Sequence, residues 1–110
     1  MEWTEHYDLD TDNRRRATRI NRQFGIQYVD EQESVGRGSA VNVSATGARL
    51  IMKKPCQGDF TLQLDDQTQV LARTVWAREL SGFAVVGVEF DLSAADQRRS
   101  LEGFLTRLAA

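Results

Sequence analysis

Beyond Gln23 the apolar positions recur every second residue, the period of a strand with one buried face. Phe24, Ile26 and Tyr28 alternate with Gly25 and Gln27, which predicts a first strand in QFGIQYV. The polar run DEQESVGRG (30–38), with its two glycines, predicts a hairpin connection. SAVNVS (39–44) reads as a second strand, with Val41 and Val43 on one face and Ala40 and Asn42 on the other. After the tight turn SATG, ARLIM (48–52) supplies a third strand, and KKPCQGD, holding Pro55 and Gly58, is a loop. FTLQL (60–64) alternates cleanly into the turn DDQT, and QVLARTVWARE (69–79) is a long fifth strand. There Leu71, Arg73, Val75 and Ala77 share one face, and Val70, Ala72, Thr74, Trp76 and Arg78 the other. LSG then turns the chain into a sixth strand, FAVVGVEF (83–90).

The period changes at the C-terminal end. Leu101, Phe104, Leu105 and Leu108 fall at helical spacing and make one apolar stripe. Ser93 is the N-cap candidate, and Asp96 suits the first turn of a helix over 93–109. Six short strands followed by one helix predict a small all-β fold, a barrel or sandwich; a barrel has the advantage of leaving no free strand edges.

At 110 residues, with 41% hydrophobic and 27% charged residues, the chain has the size and composition of one globular domain. No apolar run is long enough for a membrane span, and MEWTEHYDLD lacks the apolar core of a secretory signal. Cys56 is the single cysteine, so no internal disulfide forms, and a reducing, cytoplasmic setting is expected. His6 is the single histidine, which leaves too few partners for a catalytic triad or a transition-metal site. Asp65 and Asp66 sit at a turn, where paired acids serve local hydrogen bonds, and there is no phosphate-binding or dinucleotide fingerprint. An enzyme is not expected.

Charge is segregated near the start. Glu2, Glu5, Asp8, Asp10 and Asp12 stand without a lysine or arginine among them; Arg14, Arg15, Arg16, Arg19 and Arg22 follow without an acid. Guanidinium groups suit a ligand carrying phosphates and guanine, because the same paired donors match phosphate oxygens and the O6/N7 edge. Taken alone, the segment reads first as a solvated basic run, or one that pairs with the preceding acids. NVSATG (42–47) offers an amide, a hydroxyl and a glycine at the end of a strand, and it also reads as a plain turn.

Taken together, Arg15-x-x-x-Arg19 and Asn42-x-Ser44-x-x-Gly47 resemble the paired motif of the PilZ family. GARL after the turn, VWARE and the GVEF ending extend the likeness over about residues 13–91. The resemblance implies a six-stranded antiparallel β-barrel with a C-terminal helix, and a receptor for cyclic di-GMP. By position, Arg15 and Arg19 would contact guanine and phosphate, Asn42 and Ser44 would hydrogen-bond a guanine, and Gly47 would shape the turn. Asn42 replaces the family's more usual aspartate and keeps an acceptor without the charge. Arg14, directly before the motif, is associated in the family with two intercalated ligand molecules; Trp76 and Arg78 share a strand face that would lie beside the ligand, the alternative being that Trp76 packs in the core or at a barrel end.

The expected organisation is therefore an acidic segment (1–12) and a PilZ domain (13–110). The domain divides into an arginine segment (13–22), a barrel (23–91) and the helix (93–109). The expected protein is a monomer that changes its surface on binding and so regulates a separate effector protein, with no cofactor, metal or nucleic-acid polymer. The acids of 1–12 would partly neutralise the arginines in the free state. The competing expectation is a PilZ-like interaction module that signals without nucleotide.

Overall fold

The computed structural model describes residues 19–110. The acidic segment, Arg14 and Arg15 lie outside the described residues. Strands β1 (Phe24–Val29), β2 (Val35–Val43), β3 (Gly47–Met52), β4 (Asp59–Asp65), β5 (Thr68–Leu80) and β6 (Phe83–Asp91) precede helix α1 (Ala95–Ala109). They close into an antiparallel barrel in the order β1-β2-β3-β6-β5-β4.

The inward row Ala40, Leu50 and Val86 and the row Val43, Ala48 and Val88 are buried, and each row runs across paired strands. Phe60, Leu62 and Val70 fill the opposite wall, and Leu101 and Phe104 of α1 join the same core. Phe104 meets Phe24 with ring centroids 5.3 Å apart. These apolar side chains leave water together, and this is what holds the barrel.

Three local expectations need correction. β2 begins at Val35 instead of residue 39, because Asp30 Oδ1 accepts from the backbone N–H groups of Gln32 and Ser34, both at 2.9 Å, and shortens the hairpin connection. Ser93 is no N-cap: its N–H and hydroxyl both donate to Asp91 Oδ1, and α1 starts behind Ala94 without a side-chain cap. The face assignments in the second and fifth strands fail beyond a β-bulge in each. One extra residue, Val41, enters β2 between Ala40 and Asn42, and another, Val75, enters β5 between Thr74 and Trp76. Each bulge reverses the alternation that follows it.

Candidate functional site

Both bulges act on the outer wall. Without them Asn42 would share the inward face of Ala40, and Trp76 that of Ala72. With them, Asn42 is paired with Arg49, Arg49 with Gly87, and Gly87 with Trp76. Residues directly opposite in antiparallel strands share a face, so the four form one outward row across β2, β3, β6 and β5. Three inter-strand steps give the row a span of about 14 Å.

Each end of this row is built differently. A Cβ on Gly87 would fall inside the Trp76 ring system, so the indole lies across bare backbone in the direction of β3. At the other end Ile20 bridges Val43 through two backbone hydrogen bonds of 2.8 and 3.1 Å. That bridge fixes Arg19, whose Nη1 donates to Asn42 Oδ1 at 3.1 Å. Asn42 is only 4% exposed although it faces outward. Arg22 donates to the carbonyl of Leu108 at the end of α1, which ties the chain just after Arg19 to the helix.

Electrostatics single out the same row. Burial, and then the neighbouring charge of Arg49, lowers the Arg19 guanidinium to about 10. Burial also lowers Arg49. Two cations in a partly desolvated setting cost free energy that a bound anion offsets. Below the row, Glu89 is opposite Gly47 and Arg73, and Arg73 holds its carboxylate at 2.6 Å. That nearby acid is thereby matched with a base of its own.

The sequence-derived candidates separate into groups. Arg19, Asn42 and Trp76 come together along the row, and Arg78 lies two positions further along β5, opposite Val85. Ser44 and Gly47 belong to the turn that launches β3. Ser44 N–H donates to the Gly47 carbonyl at 2.8 Å, and Ser44 Oγ accepts from the Thr46 N–H at 3.2 Å. A Cβ on Gly47 would strike the Val88 carbonyl, so only glycine lets β3 and β6 approach there. Ser44, at 1% exposure, therefore holds the turn that positions Asn42. Arg49 was missed from the sequence; its signal was a lone arginine within the apolar run ARLIM.

A polar cavity of about 490 Å³ at the other end of the barrel is lined by Tyr28, Asp30, Lys54 and Cys56 among others. Burial pushes the Cys56 thiol up to about 11, so it is protonated at neutral pH. Among the described residues no group of three or more metal-ligating side chains occurs, and no helix is long and apolar enough to cross a membrane.

A family model described as "PilZ domain" matches residues 13–107. Solved structures share the fold at low identity. The PilZ domain with c-di-GMP of YcgR from Escherichia coli superposes with TM-score 0.62 at 12% identity, over 87% of this chain and 92% of that one. The PilZ domain of CeSA from a cellulose-synthesizing bacterium gives 0.62 at 15%, over 84% and 98%. YcgR from Escherichia coli in complex with c-di-GMP gives 0.62 at 16%, over 87% of this chain but 46% of the larger protein. No curated protein sequence matches the chain.

Proposed function

Because this chain belongs to the PilZ domain family, as the match over residues 13–107 shows, we propose that it is a receptor for cyclic di-GMP. The ligand lies on the outer wall of β2, β3, β6 and β5. One observation carries the reading: two partly desolvated guanidiniums, an amide and an indole stand in a single outward row. A cyclic dinucleotide needs those groups, with cations for its phosphates, an in-plane amide for a guanine edge and a flat surface for a purine face.

In this reading Arg19 and Arg49 take the phosphates. Asn42, held by Arg19 in the free protein, accepts from guanine N–H groups, and Trp76 stacks with Arg78 beside it. Gly47 and Ser44 contribute through the turn. Arg15 and Arg14 reach the ligand from the segment before Arg19, and Arg14 favours a second, intercalated ligand molecule. Binding exchanges repulsion between cations for attraction to phosphate, and it remakes the surface offered to an effector protein in the bacterial cytoplasm. Nothing in the proposal requires catalysis.

Amide chemical shifts of the labelled full chain test it. Addition of cyclic di-GMP should move Asn42, Arg49, Gly87 and Trp76 together, and an unrelated oligonucleotide should move none of them. Saturation without shifts along this row, or no response to the nucleotide at all, would sink the reading.

A further inference from the structure

The barrel is closed along most of its length, but β5 outruns its neighbour. Its pairing with β4 ends at Arg73, opposite Asp59, whereas its pairing with β6 continues to Leu80, opposite Phe83. Beyond Arg73 no described strand pairs with the second edge of β5. The inner face opens at the same place. Ala77 lies opposite the fully buried Val86, yet Ala77 itself is exposed, because β4 has ended. Apolar side chains mark this part of the hairpin: Val75 is 59% exposed, and Leu80 and Phe83 are 40% exposed. Such an edge presents unpaired backbone donors and acceptors and invites an added strand.

We infer that the occupant is the same edge of a second copy of this chain, the two β5 strands pairing antiparallel about a two-fold axis. The charges on the edge select one register. Opposite residues of paired strands share a face while neighbours alternate, so the axis passes through a residue and never between two. Centred on Arg78 or Glu79, it would set two like charges directly against each other, which destabilises a sheet. Centred on Leu80, it leaves almost no paired length, because Ser81 and Gly82 turn the chain into β6. Centred on Trp76, it would drive the partner subunit's Glu79 against Arg73, where Asp59 already pairs. Centred on Ala77, it meets none of these obstacles. Two alanines then face each other, and Trp76 lies opposite the partner subunit's Arg78, a pair in which indole and guanidinium attract. Val75 and Leu80 stand at the flanks, where pairing removes apolar surface from water.

Pairing over Val75–Glu79 falls short of the roughly 1,200 Å² of a standard interface, so the dimer is weak and forms with rising concentration. The axis also joins the two outer rows. Each row of Asn42, Arg49, Gly87 and Trp76 then ends on the partner subunit's Arg78, and the second copy supplies a guanidinium to the ligand site. This part rests on the nucleotide reading; the strand pairing does not.

Sedimentation of the full chain without nucleotide tests the pairing by itself. The wild type should pass from monomer to dimer across the micromolar to millimolar range. Ala77→Lys and Ala77→Glu should each stay monomeric, and an equimolar mixture of the two should dimerise again, because the substituted side chains then attract across the axis. A wild type that is monomeric throughout overturns the proposal, as do a dimer that both variants keep and a mixture that stays monomeric. In a separate titration, Ala77→Lys should bind cyclic di-GMP several-fold more weakly than the wild-type dimer although it adds a cation, and the mixture should recover the loss. Equal affinity would take the partner subunit's Arg78 out of the site. No binding by any of these proteins would refute the nucleotide reading and leave the dimer standing.

Discussion

The same four strands carry two faces built on opposite terms. Inward, Leu50, Val86 and Val88 are fixed by burial, and each could be traded for another apolar side chain of like volume. Outward, Arg19, Asn42 and Arg49 are polar groups taken partly out of water, where none of them contributes to the core. The first face stabilises the barrel. The second sets two guanidiniums in a partly desolvated setting that lowers the pKa of both. Stability and binding should therefore separate cleanly by the direction a side chain points, even between neighbours in one strand.

Leu50 and Arg49 give the sharpest version of that contrast. Leu50→Ala opens a cavity and should lower unfolding free energy by about 2–5 kcal/mol. Arg49→Ala should cost clearly less than Leu50→Ala, since it removes no inward packing and relieves repulsion with Arg19. Denaturant melts of the two variants check this, with nucleotide titrations of both in the absence of denaturant. Only Arg49→Ala should lose affinity. A large stability loss in Arg49→Ala would break the division between the faces.

A smaller effect is expected from Gly87→Ala. The added methyl displaces the Trp76 indole from its seat, which should weaken binding by roughly tenfold, about 1.4 kcal/mol, through loss of a stacking surface. Indole resonances would report the displacement. Unaltered Trp76 signals with unaltered affinity would remove the indole from the site.

Solution conditions give the mildest test. Affinity should fall as salt rises, because phosphate contacts to partly exposed guanidiniums are screened. The pH dependence follows from Arg19. Its free-state value is lowered to about 10, and an anion raises it, so binding takes up a proton only above that value. Affinity should thus be flat through pH 7–9 and decline as pH climbs past about 10. In the folded chain without ligand the sign is opposite: the cost of the charged Arg19 is present below about 10 and is relieved above it. Calorimetry across salt distinguishes this from a neutral, stacking-only site, whose affinity would not fall as salt rises.

Much of the fold was legible because burial imposes a period of two on strands and helical spacing on α1. Strand number and the apolar stripe of the helix follow from that. The two bulges were not legible. Val41 and Val75 are apolar residues that continue the alternation without interruption, so the extra residue leaves no mark on the pattern. Their effect is nonetheless large, since they turn Asn42 and Trp76 from the core side to the outer wall. Arg49 was hidden for a related reason. Its alignment with Asn42 and Gly87 depends on register between strands, which one sequence does not display. Ser93 misled because a serine before a helix also serves a turn when an aspartate stands two residues earlier.

The central claim is that the outer row holds cyclic di-GMP through its guanidiniums. A paired calorimetric titration of the wild-type chain and Arg19→Ala tests it most directly and counts ligand molecules at the same time. Saturable binding by the wild type is expected, with a loss of about 1.5–3 kcal/mol in the variant, the range for a charge-assisted hydrogen bond. Equal affinity in the two proteins, or no binding by the wild type, would contradict it.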